Sequence, residues 1–99
     1  MKHVETHFRE KQRREKIENI FNKQIRGESY FLCPSFKWKN IVFQQYSKIK
    51  KQELSIEQLI SLLEKKGISF GQNRTLIQYP IVAFLEHIAK IFGESIHIN

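Results

Sequence analysis

Aspartate is missing from this 99-residue sequence, and cysteine, proline, glycine and long apolar runs are scarce. Without Asp, the usual magnesium ligand and the usual carboxylate of phosphoryl chemistry are gone, which argues against a metal-dependent nuclease. The single cysteine, Cys33, rules out an internal disulfide and a cysteine-rich zinc site, and it fits a reducing cytoplasm. No stretch reaches the roughly 18 to 20 consecutive apolar residues of a membrane span, so a soluble protein without a membrane partner is expected. The charged residues 1–5 lack the apolar core of a secretory signal, which again points to the cytoplasm. The glycines form no phosphate-cradling loop, and no serine or cysteine is paired with a base. An enzyme is therefore not expected, and neither is a cofactor.

What is abundant is positive charge. Lys and Arg number 17 against 10 acids, for a formal charge of +7, and the excess is uneven. Residues 1–51 hold 13 Lys and Arg against 5 Glu, whereas residues 52–99 hold 4 against 5. A basic half of this kind concentrates phosphates at the surface without conferring sequence specificity.

The chain length suits one domain, and the pattern is helical. Residues 5–26 contain neither Gly nor Pro and predict a first helix. Ile17, Ile20, Phe21 and Ile25 form its apolar stripe, while residues 9–16 carry no apolar side chain and form a basic arm. Gly27 ends it, and residues 28–33 read as an irregular link or a short strand. Ser35 is a candidate cap for a second helix with Trp38, Ile41, Val42, Tyr46 and Ile49 at helical spacing. A capping box of Ser55 and Gln58 starts a third helix, with Leu54 stapling against Leu59 and Gly67 at its end. Residues 72–79 predict a short fourth helix that breaks before Pro80. Pro80 then opens a last helix whose stripe of Ile81, Phe84, Leu85, Ile88, Ile91 and Phe92 serves as core or as the interface of a homodimer. Residues 95–99 alternate weakly, as an edge strand or a frayed end. The expected fold class is an all-α bundle of four or five helices in a single domain, with at most a minor strand near 29–33 or 95–98. It comprises a basic arm over residues 1–26 and a helical core over 35–93.

Residues 54–79 follow helix-turn-helix grammar: a capped helix, a glycine turn and a second helix with polar outward residues. In such a unit the second helix enters the major groove, where amide and guanidinium groups match base edges. Gln72, Asn73, Arg74, Thr75 and Gln78 are the expected base readers. Phosphate contacts are expected from Arg9, Lys11, Arg13, Arg14 and Lys16 on the arm, and from the cationic row Lys37, Lys39, Lys48, Lys50 and Lys51 on the second helix. The segments Leu54-Ser55-Ile56-Glu57-Gln58-Leu59-Ile60, Lys66-Gly67-Ile68-Ser69-Phe70-Gly71 and Thr75-Leu76-Ile77-Gln78-Tyr79 together resemble the helix-turn-helix of mobile-element DNA-binding proteins. These include the TraK-type accessory proteins of plasmid transfer origins and the C-terminal domains of resolvases. The resemblance covers about a quarter of the chain. It implies base reading by residues 72–75 and Gln78, backbone contacts from Lys65 and Lys66, and a role in transcriptional control or in plasmid or phage DNA processing.

Other readings stay open. The unit is equally drawn as an ordinary helical hairpin with solvated polar positions. The basic half would also suit a protein-interaction module, such as a phage or plasmid inhibitor that covers an acidic or nucleic-acid-binding surface. Tyr30-Phe31 and Phe36-Lys37-Trp38-Lys39 interleave rings with lysines as binders of RNA or single-stranded DNA do, although core aromatics give the same pattern. His3 and His7, with Glu10, are spaced for a shared metal but read as solvated residues, His87 as a flanking or core histidine, and Cys33 as a small buried hydrophobe.

Overall fold

The computed structural model describes residues 2–48 and 55–94, with side chains in the first helix described from Lys11 onward. Four α-helices form: α1 (Lys2–Asn22), α2 (Ser35–Lys48), α3 (Ile56–Lys65) and α4 (Arg74–Phe92). A 3₁₀ turn, Glu28–Tyr30, follows α1. The all-α expectation holds.

The local signals act as chemistry requires. Ser55 Oγ accepts the Gln58 amide at 3.4 Å, satisfying one of the free N–H groups at the start of α3. Gly67 takes a left-handed φ of 88°, which lets the Ile68 amide turn back to the Leu63 carbonyl at 2.9 Å and seats Ile68 in the core. Leu54, the expected staple, lies outside the described residues, as do residues 95–99.

Two expectations for the helix ends are corrected, and the first is that α1 stops at Asn22 and not at Gly27, while residues 28–33 form the irregular link, one of the two readings of that segment. The link over residues 28–33 makes only an isolated antiparallel bridge, Phe31 with Phe70, flanked by Leu32 N–H to Ser69 O (2.9 Å) and Gly71 N–H to Tyr30 O (2.7 Å). Likewise, α4 does not break at Pro80. It runs unbroken through it, although a mid-helix proline forfeits an amide bond at a cost of about 3 kcal/mol. Ile77, Ile81, Phe84 and Leu85 on either side of Pro80 are wholly buried, each contributing about 1.5–3 kcal/mol, so packing outweighs the proline. The close approach of the α1 turn completes the fit: a Cβ on Gly27 would stand 3.3 Å from Pro80 Cδ.

α4 is the central helix, packed against α1, α2, α3 and the 3₁₀ turn. Of its apolar stripe, Ile81, Phe84, Leu85 and Ile88 are wholly buried inside this chain, and Ile91 and Phe92 are partly buried. Trp38 stacks on Phe31 (centroids 4.4 Å, 11° between planes) and meets Phe84 edge-on at 5.3 Å. Trp38 Nε1 is buried without a hydrogen-bond partner among the described residues.

These contacts also set the directions of the helices. Gly27 lies against Pro80, Phe21 against Phe84 (6.2 Å), and the Asn19 carbonyl lies 3.3 Å from His87 Nε2, so α1 and α4 run antiparallel. Trp38 meets Phe84, Phe43 meets Phe92, and Tyr46 meets Glu94, so α2 and α4 run parallel. The N-terminal half of α1 therefore overhangs the C-terminal ends of α2 and α4. The long extent of the molecule, 53 Å against 27 and 22 Å, reflects this overhang.

Candidate nucleic-acid interface

Cations on α1 sort by helical register. At 3.6 residues per turn, positions 9, 13 and 16 fall within about 60° of one another, in the arc that also holds Ile20. Glu15 and Glu18 fall on the opposite side, with Lys11 and Arg14 one turn before them. Ile20 is fully buried, whereas Arg13 and Lys16 are exposed. The line of Ile20 thus continues outward through Lys16 and Arg13, and Lys11 and Arg14 share a face of mixed sign with Glu15 and Glu18. Lys23, the first residue past the end of α1, is also exposed. Lys48, at the end of α2, lies at the overhanging end of the molecule.

Several expected contacts lie elsewhere. Lys39 is a correction: it is 2% exposed, and its Nζ donates to the Lys23 carbonyl at 2.8 Å and the Phe21 carbonyl at 3.3 Å. Its charge is met by Glu28 Oε2 at 3.3 Å, and the ammonium lies 5.9 Å from the Trp38 ring centroid. Lys39 caps the C-terminus of α1, where a cation is favoured by the helix dipole, and no phosphate can reach it. Lys37 and Lys66 line a separate groove with Phe21, Phe36 and Ile41, and Lys65 is exposed at the end of α3. Lys50 and Lys51 lie outside the described residues, as do the side chains of His3, His7, Arg9 and Glu10.

The expected base readers do not stand together as free groups. Arg74 is committed to α3: its guanidinium pairs with Glu64, reaches Glu57 Oε2 at 3.0 Å and Ser61 Oγ at 3.2 Å. These three partners are spaced i, i+4, i+7 on one face of α3, so Arg74 staples the start of α4 to that helix. Asn73 caps α4, its Oδ1 accepting the Leu76 amide at 3.0 Å. Gln72 and Thr75 remain exposed, and Gln78 is half-buried. Residues 66–73 separate α3 from α4, a longer link than the three or four residues of a DNA-binding helix-turn-helix.

Of the rings interleaved with lysines, Trp38 and Phe31 are core residues, as the core reading of that pattern expects, and Phe36 is exposed. Among the described residues the exposed large apolar side chains are Leu32, Phe36 and Tyr79. Residues missed from the sequence as site residues are Lys23, Arg26 and Tyr79, which with Tyr30 surround the turn at Gly27. Comparison with known protein families, curated proteins and solved structures finds no match for this chain.

At the other end, Tyr46 OH donates to Glu94 Oε1 at 3.1 Å, and burial, with Glu94 adding to it, pushes the phenol up to about 12. Among the described residues no cluster of His, Cys and Glu is placed to hold a metal ion, and no helix is long and apolar enough to cross a membrane.

Proposed function

We propose that this chain binds double-stranded DNA through the backbone phosphates, gripping them with Arg13 and Lys16 on α1 and Lys23 just past its end. One observation carries the reading. Arg13 and Lys16 stand exposed on the helical line of the buried Ile20, with Glu15 and Glu18 on the opposite side of α1. A solvated helix usually mixes signs all round, and separation of this kind suits one polyanion. Sequence reading, where present, rests on Gln72 and Thr75 at the start of α4, and Arg74 acts in folding. A role in transcriptional control or in plasmid or phage DNA processing follows from the resemblance of residues 54–79.

The test is fluorescence anisotropy with a random duplex. Replacing Arg13 and Lys16 by Ala is expected to weaken binding more than replacing Lys11 and Arg14, although both doubles remove the same charge. Equal losses would show that net charge, and not this face, holds the DNA. A protein partner is the second reading, favoured by the exposed Leu32 and Phe36. It predicts duplex binding that is weak and indifferent to either double substitution.

A further inference from the structure

Two grooves meet at Arg26 and Gly27, where α1 turns toward α2. One, about 760 Å³, is lined by Lys23, Arg26, Ser29 and Ser35. The other, about 400 Å³, is lined by Arg26, Gly27, Tyr30, Leu76, Tyr79 and Ala83. The polar groove has one acid in its wall, Glu28, which is already held by Lys39 Nζ at 3.3 Å and by the Ile25 amide at 3.3 Å. Lys23 and Arg26 are exposed, and no hydrogen bond or ion pair of either side chain is seen among the described residues. The apolar groove sets a phenol from each wall beside that guanidinium, and Tyr79 is 65% exposed.

We propose that this pair of grooves holds one unpaired nucleotide of the bound nucleic acid, its base stacked on Tyr79 and Tyr30 and its phosphate on Lys23 and Arg26. The inference rests on the nucleic-acid reading above and adds a site to it. Aromatic faces beside cations are how single-stranded bases are held irrespective of sequence. The grooves fall within the size range of small-ligand sites. Charge selects this occupant over others. A bare phosphate would leave the tyrosine groove unused, and an apolar side chain would leave Lys23 and Arg26 unmatched. The α4 wall also belongs to the same face as Thr75, one turn before Tyr79, so a strand end leaving the duplex at the start of α4 would reach the groove directly.

The experiment compares a blunt duplex with the same duplex carrying a three-nucleotide single-stranded extension, using the full chain and anisotropy. The extended probe is expected to bind about tenfold more tightly, the contribution of one stacked base. Tyr79→Ala should erase that gain and leave blunt-duplex affinity unchanged, and Tyr79→Phe should keep it. Tyr79 is exposed, and a circular dichroism spectrum confirms that the variant folds. Equal affinity of the unmodified chain for the two probes, with duplex bound, overturns the nucleotide site and leaves the duplex reading standing. If neither duplex binds, 5′-AMP is titrated by amide NMR against inorganic phosphate. Shifts at Arg26, Gly27, Tyr30 and Tyr79 with AMP alone then sustain the groove without the duplex, and no shifts overturn both.

Discussion

Replacing Lys39 by Ala should damage folding and leave DNA recognition intact. Lys39 closes three contacts at once: the carbonyls of Phe21 and Lys23, which end α1, and the carboxylate of Glu28, which starts the following turn. Truncation leaves those acceptors without their donor under a 2%-exposed site and Glu28 without its cation. Breaking a buried pair by removing one member costs about 3–5 kcal/mol, and because Glu28 keeps 26% of its side-chain surface the lower end applies. A loss of about 3 kcal/mol lowers Tm by roughly 12–24 °C in a domain of this size. Thermal and guanidinium unfolding followed by circular dichroism measure both. The double variant Lys39→Met/Glu28→Gln should regain much of the loss, because it removes the uncompensated charge. A Lys39→Ala protein as stable as the parent but with a salt slope for DNA binding about 0.9 shallower would refute the reasoning, since it would put Lys39 on a phosphate.

Arg74→Ala should cost no more than about 1 kcal/mol, because its partners are half-exposed ion pairs, and it should leave the ratio of preferred-site to random-duplex affinity unchanged in competition anisotropy. Gly67→Ala meets no atom within 4 Å, so its expected cost of about 1–2 kcal/mol in urea unfolding is that of a left-handed backbone alone. One of the three tyrosines should titrate near pH 12 by ultraviolet absorbance, and Tyr46→Phe should remove that step. The folded phenol titrates above its unfolded value, so its contribution to stability is complete below about pH 10 and is lost as pH rises toward 12. Tyr46→Phe should flatten that alkaline decline, as measured by urea unfolding at stepped pH.

Much of the fold was legible because it depends on local chemistry. Ser55, Gly67 and Gly93 mark helix ends by groups that the backbone itself requires, and the stripes of α2, α3 and α4 name their own buried faces. What escaped depends on contacts distant in sequence. Pro80 reads as a break by any local rule, and only the burial of Ile77 and Ile81 beside it reverses that. Lys39 looks like one cation in a row, although its place three residues before Val42 and seven before Tyr46 puts it on the buried side of α2. Arg74 looks like a base reader because nothing local shows that Glu57, Ser61 and Glu64 form a seat for it. For the interface, the basic arm was visible in composition, but its division into a basic face and a mixed face needed the position of Ile20 against the core. The grooves at Gly27 join α1, the 3₁₀ turn and α4, and no single segment discloses them.

The claim that matters most is that one face of α1 holds phosphates, and the salt dependence of duplex binding tests it most directly. Arg13→Ala/Lys16→Ala/Lys23→Ala should make the log–log slope shallower by about 2.7, so that between 50 and 200 mM salt the parent loses roughly 40-fold more affinity than the variant. A control with the same charge loss, Lys37→Ala/Lys65→Ala/Lys66→Ala, should keep the parent slope. Equal slopes for the two triple variants would contradict the account, because the DNA would then be responding to net charge and not to a surface.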